Sequence, residues 1–223
     1  CPLCRSTATA SRSHLYTQAW TCHVIFDRFS KPVLFVLLSL PLGWLSFTIA
    51  AEVYAPQARL GADPAIEVVR FLGEWSIRLL LITLSVSTLR RLTGYPRLLQ
   101  LRRMVGLFAF TYVVCHFLSY LTFLAEFDLA LIQEDLVERR FITVGFLGLV
   151  LLTPLAVTST NALRRKLGAT WRKLHRLIYL IVPLGLLHLV WLTRDQYGEV
   201  FVYALIFAGL MLERYVARRP RTR

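Results

Sequence analysis

Apolar residues in this chain come in long, nearly unbroken runs. They do not show the two-residue alternation of half-buried strands or the single apolar stripe of a soluble helix. Six runs, at 33–51, 74–92, 104–125, 143–160, 177–193 and 200–216, each approach the roughly 20 residues that cross a hydrocarbon layer at about 1.5 Å per residue. The pattern predicts an all-α integral membrane bundle of six transmembrane helices over residues 31–217. Connections between the runs are short and leave no room for a separate soluble domain. Ahead of the first run, residues 1–30 are polar and predict an unstructured cytoplasmic segment; residues 218–223 are a basic tail.

Charge orients the helices. The chain carries 26 Lys+Arg against 13 Asp+Glu, a formal net charge of +13, although 56% of it is hydrophobic. A nucleic-acid-binding domain would also be basic, but it would lack these apolar runs, so nucleic acid is excluded as a partner. In a membrane protein the basic residues gather in the loops of one side. Arg90, Arg91, Arg97, Arg102 and Arg103 lie between the second and third runs, and Arg164, Arg165, Lys166, Arg172, Lys173 and Arg176 lie between the fourth and fifth, without an acid in either group. Both loops belong inside. The loops carrying Glu52, Asp63, Glu67 and Glu74, and Glu126, Asp128, Glu134, Asp135 and Glu138, are acidic on balance and belong outside. Both termini then fall in the cytoplasm.

Against this background the run FTYVVCHFLSY at 110–120 is anomalous, because it sets His116 among apolar and aromatic residues. An imidazole in that setting costs free energy unless something satisfies it. His188 lies deep in the fifth run and His175 at its start. A single such histidine is more often bonded to a carbonyl or hydroxyl of the bundle than to a ligand; matched depth changes the balance. Counting from Arg103, His116 is about 20 Å into the third helix, in the outer half. Counting back from Arg194, His188 is about 9 Å from the outer surface. The two therefore share a level, as needed to hold a flat macrocycle between helices with one imidazole on each face of its iron. Ser119, Tyr112 and the carbonyls one turn back are candidate acceptors for the second ring nitrogen of each.

His175 lies thirteen residues before His188, about 20 Å deeper, and on an ideal helix the two rings point apart by a remainder of about 220°. Pro183 and Gly185 between them provide for a kink. A partner for His175 would fall near Arg102 or Arg103, where there is no histidine. One haem is thus well defined, and a second is left open. Covalent attachment needs C-x-x-C-H, but here Cys115 precedes His116 without the first cysteine, so the haem is expected to be of b type. Cys115 itself reads as a packing residue. Arg78, one turn into the second run and four residues after Glu74, reads equally as a helix-end ion pair or as a partner for a haem propionate. Cys1, Cys4, His14, Cys22 and His23 contain one C-x-x-C but match no zinc-finger spacing, and no signal-peptide cleavage site follows the first apolar run.

The stretches GADPAIEVVRFLGEWSIRLLLITLSVSTLRRLTG, RRMVGLFAFTYVVCHFLSYL and TSTNALRRKLG, with the W-x-x-LHRLIYL run that follows, resemble the MsrQ family, formerly YedZ. The likeness covers about residues 26–216; residues 1–25 match nothing in the family. Some relatives have a histidine in the first span that this chain lacks. The family is related to the ferric-reductase-like transmembrane proteins. The resemblance implies the haem-binding membrane subunit of a periplasmic methionine sulfoxide reductase system in the bacterial inner membrane. Such a chain is an electron-transfer subunit and not the catalytic one. Its implied partners are a periplasmic molybdopterin-containing reductase subunit that repairs oxidised methionine, and the quinone pool or a cytosolic flavin reductase as donor. The family's histidines fall on His116, His175 and His188. FMN is implied by the resemblance alone.

The basic loop 161–176 suits an acidic surface, a flavin phosphate or anionic lipid as the entry side for electrons. Rival readings are a transporter or proton relay that uses the intramembrane histidines, and an assembly protein without a cofactor. The short length, the lack of intramembrane carboxylates and the absence of inverted repeats oppose the transporter reading.

Overall fold

The computed structural model describes residues 7–54, 60–95, 98–193 and 197–218, with side chains from residue 30 onward except Val53 and Arg218. Among the described residues every regular element is helical: α1 (Thr7–Tyr54), α2 (Pro64–Thr93), α3 (Leu98–Phe123), α4 (Leu129–Glu138), α5 (Arg140–Val157), α6 (Asn161–Leu174), a 3-10 turn at His175–Leu177, α7 (Ile178–Leu192) and α8 (Tyr197–Arg218). The chain divides into two compact units, 1–43 and 44–223, within α1. The backbone of 7–30 is helical and continuous with the first apolar run, where the polar composition pointed to an unstructured segment. Cys1 and Cys4, and the side chains of His14, Cys22 and His23, lie outside the described residues.

Among the described residues, five helical stretches are long and apolar enough to cross a membrane: Ser30–Glu52, Leu98–Phe123, Arg140–Val157, Asn161–Leu192 and Tyr197–Ala217. The remaining predicted run, 74–92, falls within α2 (Pro64–Thr93), which has the length but a different environment. Leu72, Leu79, Leu80, Leu81 and Leu84 are buried around most of its circumference, because α2 is packed against α3, α7 and α8. Exposed apolar residues remain on α2 at Ile82, Leu89 and Leu92, and other helices carry more of them. Phe146, Leu147 and Val150 on α5, and Phe201, Val202 and Leu205 on α8, are exposed, as expected where the solvent is hydrocarbon. Within this medium a hydroxyl must find its acceptor locally. Ser76 donates to Leu72 O at 2.7 Å and Thr83 to Leu79 O at 2.8 Å.

Two helix pairs build the framework around the site. α2 packs along α3, and α5 along α7. Asp63 caps the start of α2 by accepting from the Ile66 N–H at 3.2 Å, and Gly94 ends the helix in the left-handed region at φ 69°. Thr160 caps α6 in the same way, accepting from the Leu163 N–H at 3.3 Å. α6 itself, drawn from the basic loop, and α4, drawn from the acidic one, are helices where the sequence pattern predicts only connections. α4 opens on Asp128, whose side chain accepts from the Ala130 N–H at 2.8 Å.

Candidate cofactor site between α3 and α7

The polar anomaly of the third run finds its partner across the bundle. His116 on α3 and His188 on α7 stand with ring centroids 6.1 Å apart and planes at 87°. Each ring is held by a neighbouring helix. His116 Nδ1 lies 2.9 Å from the carbonyl oxygen of Val69 on α2, and His188 Nδ1 lies 2.6 Å from that of Phe141 on α5. A carbonyl oxygen can only accept, so in each ring Nδ1 carries the proton and donates. Nε2 is then the nitrogen with a free lone pair. The acceptors are main-chain groups of other helices; Ser119 and Tyr112 do not play this part. Ser119 instead donates to His116 O at 2.8 Å, and the Tyr112 ring, fully buried, packs 6.4 Å from Trp75.

Two glycines make room for the rings. A β-carbon at Gly73 would stand 3.0 Å from His116 Cε1, and one at Gly145 would stand 2.7 Å from His188 Nδ1. Each glycine lies four residues after the carbonyl that its histidine uses. In an α-helix that is the residue directly above the carbonyl, so removing its side chain opens the approach to the oxygen. The arrangement also occurs twice. Val69, Gly73 and His116 become Phe141, Gly145 and His188 on adding 72 to each number. A direct, non-inverted repeat of one helix pair thus supplies both halves of the site. Neither glycine was a candidate from sequence, since isolated glycines are common in membrane helices; the shared offset is the signal that finds them.

The histidines face a cavity of about 590 Å³ with walls from α2, α3, α5 and α7, among them Leu80, Phe117, Leu149 and Leu152. Its size falls in the range of about 300–1,000 Å³ typical of organic ligand sites. A metal ion bonded to two imidazoles at about 2 Å each sets their ring centres about 6 Å apart, which fits the observed separation. Two neutral imidazoles on a mostly apolar space therefore suit a macrocycle carrying a metal at its centre. Among the described residues, the charged ones lining the cavity are Arg70, Glu74 and Arg139, near the starts of α2 and α5.

The other two candidates stand apart. His175 does not line the cavity; its Nδ1 bonds to Trp171 O at 3.1 Å, and its ring stacks on that of Trp171 at 3.9 Å. Arg78 does not line it either. Its Nε donates to Tyr203 Oη at 2.8 Å, its Nη2 pairs with Glu74 at 3.0 Å and with Glu199 at 3.5 Å, and the guanidinium lies 5.5 Å from the Trp75 ring centre. Of the two readings of Arg78, the ion pair at the helix end matches these contacts. The cations on the cavity are Arg70, paired with Glu67 at 3.2 Å, and Arg139, whose Nε is 3.0 Å from Asp135. The buried Asp135 also accepts from the Tyr120 hydroxyl at 2.7 Å.

Residues 72–186 match the family described as the ferric reductase like transmembrane component. A protein of Polaromonas naphthalenivorans, named protein-methionine-sulfoxide reductase heme-binding subunit MsrQ, is 45% identical over 197 residues, 87% of this chain and 85% of the relative. The chain belongs to the MsrQ family. A Caulobacter vibrioides member of the same name is 45% identical over 78% of this chain and 80% of the relative. Similarity extends to the magnetosome protein MamZ of Magnetospirillum gryphiswaldense, 38% identical over 83% of this chain but only 29% of that longer protein. The family places a multi-pass membrane domain where this chain has its helices, and the match from 72 to 186 takes in α3, α5 and His116 but stops two residues before His188.

Proposed function

We propose that the chain is the haem-binding electron-transfer subunit of a methionine sulfoxide reductase system. One b-type haem is held between His116 and His188. The observation that carries this reading is the pair of imidazoles 6.1 Å apart, each fixed as the Nδ1–H tautomer by a main-chain carbonyl. The names of the MsrQ relatives support it. A bound haem supplies a one-electron iron couple. The chain's own residues do the rest. Val69 O and Phe141 O orient the two ligand rings and raise their basicity, Gly73 and Gly145 leave space for them, and the apolar walls keep water and its high dielectric away from the metal. Arg70 and Arg139 are the cations on the cavity that could meet carboxylates of the macrocycle.

In this reading the partner is a periplasmic molybdopterin-containing reductase, docked on the acidic loops where α2 and α5 begin. The donor is the quinone pool or a cytosolic flavin reductase, on the side of the basic loops. Both termini are then cytoplasmic and the membrane is the bacterial inner one. His175, beside the basic α6, belongs to the entry side, where a second haem or FMN would lie.

The visible spectrum tests the proposal. Chain purified after haem-replete expression is expected to show a Soret band that shifts on reduction, with a pyridine haemochrome of b type. His116→Ala and His188→Ala are each expected to lose most of that haem. Full haem content in both variants would remove His116 and His188 as ligands, and a colourless wild-type preparation would favour a transporter or assembly role.

A further inference from the structure

About one turn past the cavity along α2, toward the end of that helix, a buried charge is only partly satisfied. Arg214 on α8 is 5% exposed. Its Nη2 donates to Leu84 O at 2.8 Å, and its guanidinium lies 5.0 Å from the ring centre of Tyr179 on α7. Its Nε and Nη1 are buried and have no hydrogen-bond partner. Leaving two N–H groups of a cation unpaired away from water is costly. The neighbouring carboxylate is already engaged: Glu213 takes Arg91 Nε at 3.1 Å, a closer contact from Arg91 Nη2, and the Thr88 hydroxyl at 3.1 Å.

Arg91 and Arg102 both act electrostatically on Arg214, and Arg91 acts on Arg102. Tyr179 is within range of all three. Three guanidiniums against one carboxylate, 3 − 1, leave an excess of two positive charges gathered about one tyrosine. An ordinary cluster of basic residues at a membrane edge turns its side chains to water, as the exposed Arg90 and Arg103 do. Arg214 does not.

We propose that Arg91, Arg102 and Arg214, with the hydroxyl of Tyr179, form a binding site for a phosphate group. An excess of two cations matches a phosphate dianion, and planar guanidinium forks match its oxygens in pairs. The hydroxyl adds a neutral donor. The phosphate belongs either to a water-soluble monoester or to a lipid headgroup, since α2 and α8 both end within a few residues of Arg91 and Arg214. The site does not include His116 or His188: Leu84, whose carbonyl holds Arg214, is eleven residues along α2 from Gly73, about 16 Å, and Tyr179 is nine residues along α7 from His188, about 14 Å. It stands or falls independently of the haem assignment.

The full chain in detergent, titrated with inorganic phosphate against sodium chloride of equal ionic strength, tests one source by saturable thermal stabilisation. Native mass spectrometry from nanodiscs of phosphatidylcholine with and without phosphatidic acid tests the other. Phosphate stabilisation weakened about tenfold in Arg214→Gln and in Arg102→Gln identifies a soluble ligand. Retention of phosphatidic acid by the wild type, lost in the same variants, identifies a lipid. Arg102 is less buried than Arg214, so Arg102→Gln serves as the folded comparison if Arg214→Gln does not purify. A wild type that responds to neither probe, or purified variants that respond as the wild type does, overturns the proposal.

Discussion

A β-carbon on Gly145 would stand 2.7 Å from Nδ1 of His188, closer than packed atoms approach, so the glycine and the imidazole occupy one space between them. Gly145→Ala must push the ring off the Phe141 carbonyl or part α5 from α7. Forcing one extra methyl into a filled site costs roughly 1–3 kcal/mol. The expected outcome is weaker haem retention and a lower Tm with unchanged helical content by circular dichroism. Gly73→Ala, with its nearest contact at 3.0 Å, should show the same effect more weakly. A holo Gly145→Ala chain with wild-type spectrum and Tm would mean that the ring has room to spare.

His175 offers a contrast to the pair. It is bonded and stacked on Trp171 and lies off the cavity, so His175→Ala should keep the haem held by His116 and His188. If a second haem is loaded at the basic end, haem per polypeptide should fall from two to one in this variant and the remaining spectrum should be that of the outer site. Loss of all haem in His175→Ala would contradict the separation of the two places.

Arg78 ties α2 to α8 through Tyr203 and Glu199. Removing a partly exposed hydrogen-bonded ion pair costs about 0.5–1.5 kcal/mol. Arg78→Ala is therefore expected to lower Tm by a few degrees and leave the reduction potential of the haem where it was. Arg139→Ala, on the cavity itself, should move the potential. A redox titration in which Arg78→Ala shifts the potential and Arg139→Ala does not would restore Arg78 as the propionate partner.

Asp135 is 4% exposed and takes both the Tyr120 hydroxyl and Arg139 Nε, which ties α4 to the ends of α3 and α5. Asp135→Ala should cost about 1–3 kcal/mol through the loss of charge-assisted bonds. Faster amide hydrogen exchange confined to α4 and its junction with α5 would locate the effect. Exchange unchanged there would show that α4 is held by its apolar side chains.

The spans were readable because hydrocarbon tolerates only long apolar helices, and α3, α5, α7 and α8 each contain a run that hydropathy marks. His116 and His188 were readable for the complementary reason: an imidazole stands out there, and rise per residue fixes its depth. The unread parts lack such a signal. α4 and α6 are short and carry charges, so their composition is that of loops, and only the Asp128 and Thr160 caps mark their starts. Being buried does not change the hydropathy of α2, so its position within the bundle leaves no trace in the pattern. The acceptors for the histidines belong to the main chain, which every residue has, and Arg78 could not be assigned because both its readings use the same charge at the same helix end.

The bonds from Val69 O and Phe141 O have a further consequence for tolerance to mutation. No substitution at 69 or 141 deletes the oxygen; only proline, by breaking the helix, would readily displace it. The proton on each imidazole is therefore set by where a helix lies, and sequence drift at those two positions leaves it alone. What drift cannot touch freely is the bare α-carbon one turn further on.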